Sequence, residues 1–212
     1  EDGDDVLDGG AGDDLLDGGD GHDQLTSGAG EDRLYGGDGR DILDSGSRDD
    51  YLSGGDSADE LLAGSGDDLL DGGSGDDLLV AGEGDDVLDG GSDDDILEGN
   101  TGRDRLTGGS GDDMFVIVES EGYDTITDFT QEKDTIKLVT DLSFNQITIE
   151  QGSGDEANHT IIKNADSHEY FAVLENFTAA NLTESDFIFE ALPITEPAPP
   201  SNLDDGTDDE LS

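Results

Sequence analysis

Apolar residues return along the first half of the chain at a fixed interval of nine, separated by glycine-rich, acidic stretches. With units starting at residue 9, the eighth position is Leu in twelve units, from Leu7 to Leu106 in steps of nine, and Phe115 in the last. The units run 9–17, 18–26 and onward to 108–116, after a partial unit at 1–8. Side chains alternate between faces along a strand, so positions seven to nine read as a three-residue strand whose central Leu faces inward. Glycines at positions one, two and four permit positive φ and read as the turn. A single unit cannot bury its own Leu, so the units must stack. A coil of two units, 18 residues, places the Leu columns of alternate units on two facing parallel sheets. The expected fold class is all-β, a parallel β-roll followed by a small β-rich C-terminal cap.

The sixth position carries the candidate chemistry. It is Asp in all thirteen units: Asp5, Asp14, Asp23, Asp32, Asp41, Asp50, Asp59, Asp68, Asp77, Asp86, Asp95, Asp104 and Asp113. Stacking brings carboxylates 18 residues apart into register, where each unscreened pair costs roughly 3 kcal/mol at an effective dielectric of about 20. A counter-cation is therefore expected between same-side turns. Ca²⁺ suits such a site because it accepts many hard oxygens, mixing carboxylates with backbone carbonyls, whereas Zn²⁺ favours His or Cys. The expected metal set is the Asp column with turn carbonyls such as Gly73, Gly75, Gly82 and Gly84. One ion per pair of same-side turns is expected, with folding and binding as one event.

Charge narrows the partners. The 212 residues hold 58 Asp+Glu against 8 Lys+Arg, a formal net charge of -50. Such a surface repels phosphate backbones and anionic headgroups, so nucleic acid and membrane are not expected partners. Cysteine is absent, which removes disulfides and thiolate metal sites. The acids, most glycines and the Arg residues concentrate before residue 116, and Lys and most aromatics follow it. This division sets expected boundaries at 1–116 for the roll, 117–190 for the cap, and 191–212 for a Pro-rich linker and acidic tail. No apolar run spans a bilayer and no N-terminal leader is present, so the chain is expected to be a piece of a longer protein.

The unit Gly18-Gly19-Asp20-Gly21-His22-Asp23-Gln24-Leu25-Thr26 closely resembles the repeats-in-toxin (RTX, hemolysin-type) calcium-binding repeat, a likeness that covers residues 1–116. The resemblance implies a right-handed parallel β-roll with Ca²⁺ between same-side turns. It also implies a secreted, extracellular bacterial protein, with the type I secretion machinery as a partner. The segment Gly122-Tyr123-Asp124-Thr125-Ile126-Thr127-Asp128-Phe129 looks like the stretch that often follows such repeats. Some units depart from the pattern, with Arg48, Ser57 and Asp93 at position four and Asn100 at position two. Arg48 brings a cation and a Cβ into its turn, which is expected to hold Ca²⁺ poorly.

Beyond residue 113, short apolar or alternating runs predict strands near 114–118, 124–129, 134–139, 146–150, 159–163, 170–174 and 186–190. Phe115, Phe129, Phe144 and Phe171 are candidates for covering the last coil. Asp124, Asp128 and Asp134 read equally as ligands of an extra ion or as turn residues. His22, His159 and His168 are isolated and read as surface residues, and Arg40 and Arg103 at position five as charge trimming. No nucleotide loop, nucleophile elbow, EF-hand or zinc-protease pattern occurs. The expected function is thus a non-catalytic, calcium-dependent structural module. The alternatives are an adhesin module binding a glycan or surface, and an accessory part of a secreted enzyme or toxin. A partly apolar position seven (Val6, Leu15, Ile42, Leu69, Leu78, Val87, Ile96) reads equally as a docking stripe for a neighbouring domain or as strand propensity.

Overall fold

The computed structural model describes residues 2–119, 122–154 and 157–192. The expected linker and tail fall almost entirely on 193–212, outside the described residues. A strand begins every nine residues, from β1 (Val6–Ala11) and β2 (Leu15–Asp20) to β12 (Arg105–Ser110). These strands are six residues long, not three. They take in positions seven to nine and then one to three of the next unit, leaving only positions four to six as the turn. Glycines at positions one and two lie within strands and not in the turn, although position two keeps the expected positive φ, as at Gly73 with 105°. In β8 (Leu69–Ser74), Leu70 and Gly72 both point inward. The first fills the core, and the second leaves room for the Asp that follows it.

Odd and even strands separate into two sheets, each pairing in parallel with the strand 18 residues away. Leu7 lies opposite Leu25 in one sheet and Leu16 opposite Leu34 in the other. Every Leu of the column from Leu25 to Leu106 is fully buried between the sheets. In the first coil Leu7 and Leu16 are half-buried. Each fully buried Leu contributes ~1.5–3 kcal/mol relative to exposure, and the column forms one continuous core.

The C-terminal strands extend both sheets. They are β13 (Met114–Val118), β14 (Asp124–Ile126), β15 (Thr135–Val139), β16 (Ile147–Gln151), β17 (Thr160–Asn164), β18 (Tyr170–Leu174) and β19 (Phe187–Glu190). The odd sheet ends in the order β13-β15-β19, and the even sheet continues β12-β14-β18-β17-β16. Pairing turns antiparallel at β16–β17 and β17–β18. All seven predicted strands are present within one or two residues, except that β14 ends three residues early. Phe115, Phe129 and Phe171 are buried, and Phe144 packs half-buried against the same core.

Candidate metal centre

Each turn is locked to its neighbour in the next coil. The position-four N–H donates to the position-three carbonyl one coil on, as from Gly75 to Ser92 at 3.0 Å. The position-six N–H finds its acceptor in a side chain: Asp59 N donates to Asp77 Oδ1 at 2.8 Å, and Asp77 N to Asp95 Oδ1 at 2.9 Å. Eleven such bonds, from Asp5–Asp23 to Asp95–Asp113, build two ladders along the two edges of the roll. One ladder holds Asp5, Asp23, Asp41, Asp59, Asp77, Asp95 and Asp113. The other holds Asp14, Asp32, Asp50, Asp68, Asp86 and Asp104.

From Asp23 to Asp104 Oδ1 is thereby satisfied and Oδ2 is not. In every rung from Asp14 to Asp104, Oδ2 is buried with no hydrogen-bond partner. A buried polar oxygen without a donor is costly, and more so when charged. A hard divalent cation removes that cost, so the residues present fit calcium. Among the described residues no three His, Cys, Asp or Glu side chains converge as a ligand group. An ion here would complete its shell with backbone oxygens, a donor set suited to Ca²⁺. Of the four glycines expected to offer carbonyls, Gly75 and Gly84 sit in turns with φ of 127° and 145°, and Gly73 and Gly82 belong to strands.

Oδ2 packs against position one, where a glycine leaves room for it. A Cβ on Gly72 would lie 2.5 Å from Asp77 Oδ2 and 2.5 Å from the Gly90 carbonyl oxygen. On this edge position one is glycine throughout: Gly18, Gly36, Gly54, Gly72, Gly90 and Gly108. The other edge reads Gly9, Ser27, Ser45, Ala63, Ala81 and Gly99. Ser27 and Ser45 turn their hydroxyls onto the carbonyls of Ser45 and Ala63, one coil on, at 3.0 Å. The two edges are chemically different, which the nine-residue period conceals and an 18-residue comparison exposes.

Burial pushes the Asp59, Asp86 and Asp95 carboxyls up to about 7, against the pull of the previous rung's N–H. The carboxyls of Asp68, Asp77 and Asp113 rise to about 6 for the same reason. Neighbouring carboxylates push in the same direction as burial. Asp41, Asp50 and Asp104 are also raised by burial.

A second ladder was not foreseen. Position-five side chains on the exposed rim accept the N–H one coil later: Asp49 from Asp67 and Asp67 from Asp85, both at 3.0 Å, and His22 Nδ1 from Arg40 at 2.8 Å. It runs opposite to the position-six ladder, in which the later coil supplies the acceptor. His22 is exposed, as expected, yet it is a rung rather than an isolated residue. The available signal was the recurrence of acceptor side chains at position five. Arg48 also behaves unexpectedly in one respect. Its φ is 85°, against 123° at Gly39 and 140° at Gly66, yet Asp50 still donates to Asp68 Oδ1 at 2.7 Å. The Cβ shifts the local dihedral and leaves the rung in place.

Comparison with curated proteins gives no match. Among solved structures, the chain is similar to the extracellular lipase LipA from Serratia marcescens, at 13% identity and a TM-score of 0.34. That match covers 71% of this chain and 40% of the lipase, so the chain spans well under half of the lipase's length. The AlgE6R2 subunit of the Azotobacter vinelandii mannuronan C5-epimerase is 24% identical at a TM-score of 0.35, over 77% of this chain and 91% of that one. The AlgE6R3 subunit of that enzyme is 19% identical at a TM-score of 0.28, over 100% and 92%. The family model for the RTX calcium-binding nonapeptide repeat, four copies long, matches in overlapping windows: 1–34, 18–52, 35–70, 45–79, 53–88, 62–97 and 89–116. These windows tile more than half of the chain and coincide with the ladders, so the protein belongs to the RTX calcium-binding nonapeptide repeat family.

Proposed function

We propose that this chain is a structural module of a secreted protein, folded by calcium and without catalysis of its own. The position-six Asp residues supply the carboxylate ligands, and carbonyls of the glycine-rich segments supply the remainder. The observation that carries this reading is the set of eleven buried Oδ2 atoms without donors, stacked one per unit. At low Ca²⁺ these charges oppose one another across adjacent coils and the roll comes apart. At the higher Ca²⁺ outside a cell they are neutralised and it forms. In this reading residues 117–190 cap the roll, with Phe115, Phe129 and Phe171 closing its Leu column. Far-ultraviolet circular dichroism tests the proposal. Parallel β-signal should vanish on chelation and return when Ca²⁺ is restored, and a signal indifferent to chelation would refute it.

A further inference from the structure

The family pattern stops at residue 116, but the Asp ladder does not. Asp104 N donates to Asp124 Oδ1 at 3.3 Å, a step of 20 residues instead of 18. Around Asp124 the unit is rebuilt: Gly122 takes the position-four role, with φ of 131° and a bridge to Gly102, and Ile126 lies opposite Leu106 in the buried column. The longer segment before Gly122 hides this rung from a nine-residue pattern.

Three Asp residues follow the repeats, and their hydrogen bonds distinguish them. Asp128 accepts from Gly108 N at 3.0 Å through Oδ1 and from Gly109 N at 2.8 Å through Oδ2. Asp134 accepts from Asp113 N at 3.2 Å and from Thr130 N at 2.6 Å, again one donor to each oxygen. Both carboxylates are satisfied by backbone. Among the described residues Asp124 receives one backbone N–H, that of Asp104, through Oδ1 alone. Asp104 and Asp124 are 1% and 4% exposed, and Asp104 Oδ2 has no partner. The nearby cations are engaged elsewhere, with Arg103 over the Tyr123 ring at 5.3 Å and Arg105 paired with Glu175 at 3.1 Å. Beside Asp104, position one returns to Gly99, where a Cβ would lie 2.2 Å from Asp104 Oδ2, so this carboxylate sits closely against the backbone.

We propose that Asp104 and Asp124 hold a further calcium ion at the seam between the last repeat coil and the C-terminal strands, and that Asp128 and Asp134 serve only as hydrogen-bond acceptors. Two buried carboxylates on successive rungs, one with an unpartnered oxygen and with the nearby cations engaged elsewhere, are a divalent-cation site, completed by carbonyls of the adjoining turns. The inference rests on the reading of the Asp ladder as the ligand set. Its consequence is that β14, and through it β18, β17 and β16, is joined to the roll by metal.

Native mass spectrometry of the calcium-loaded chain tests it by counting ions. Asp124→Asn should bind one Ca²⁺ fewer than the unmodified chain, and Asp128→Asn should bind the same number. Asp77→Asn, within the regular ladder, should also lose an ion. Loss in Asp77→Asn with full retention in Asp124→Asn overturns the seam site and leaves the ladder reading intact. Retention in both overturns the ladder reading and the seam site with it. A second measurement needs no change to the ligands: Tb³⁺ in place of Ca²⁺, with emission sensitised by Tyr123, the neighbour of Asp124. Tyr123→Phe should remove a component of that emission at unchanged circular dichroism, and undiminished emission would overturn the proposal.

Discussion

The nonapeptide region and the strands after it share two sheets but are held by different forces. Between residues 18 and 107 each unit contributes one buried Leu and one buried carboxylate, and coils touch backbone to backbone. A Cβ on Gly37 would lie 2.1 Å from the Gly19 carbonyl oxygen. After residue 116 the interior is Ile126, Ile136, Leu138, Ile162, Phe171 and Leu174, with aromatic contacts such as Phe129 on Phe177 edge-to-face at 5.4 Å. The second region is packed like an ordinary small core. The first carries a line of charges through its interior and depends on what neutralises them. A shared topology therefore does not imply a shared source of stability.

The largest expected contrast is with pH in the absence of metal. Burial raises the rung carboxyls in the folded chain above the ordinary carboxylate range, to about 6 at Asp77 and about 7 at Asp86. A raised folded pKa means that the roll favours the protonated form. That contribution is fully present below about pH 4 and is lost as pH rises through 6 to 7. Chelated protein should thus gain β-signal as pH falls from 8 toward 4, and circular dichroism at fixed ionic strength measures it. An apo chain equally unfolded across this range would show that carboxylate charge is not what opposes the roll.

Core truncations sharpen the same contrast. Leu79→Ala and Phe171→Ala should cost ~2–5 and ~3–5 kcal/mol respectively. The first should move the midpoint of a Ca²⁺ titration to higher concentration. The second should lower thermal stability of the calcium-loaded chain with a much smaller change in that midpoint. Equal midpoint shifts would mean that the two regions fold as one unit. The smallest effect is expected at Arg48→Gly, which relieves a positive φ in a non-glycine residue for about 1 kcal/mol. It should also strengthen calcium binding at that turn, read as a lower titration midpoint.

Much of this fold is legible in the sequence. The Leu column at step nine required stacking, and the two-unit coil followed from its alternation. The C-terminal strands were visible in runs such as Thr135-Ile136-Lys137-Leu138-Val139. What escaped depends on contacts between coils, which local sequence does not display. Gly72 and Gly73 look like a turn in isolation and become strand only because the next coil lies against them. The rim ladder of Asp49, Asp67 and Asp85 needs an 18-residue partner before its side chains have a purpose. Asp124 stands out as a candidate ligand in the sequence, but the insertion before it breaks the count and hides its place in the ladder.

The alternating edges carry a consequence for how such a chain can change in length. Ser27, Ser45, Ala63 and Ala81 all occupy the same sheet because they are spaced by whole coils. Removing a single nonapeptide would transfer every downstream unit to the opposite sheet. That shift would set methyl and hydroxymethyl groups against the all-glycine edge and cross-wire the attachment of β13 and β14. Excising 18 residues leaves every surviving rung with a partner of its own kind. Growth and loss in this fold are quantised in pairs, a parity rule written into the inward-facing small residues.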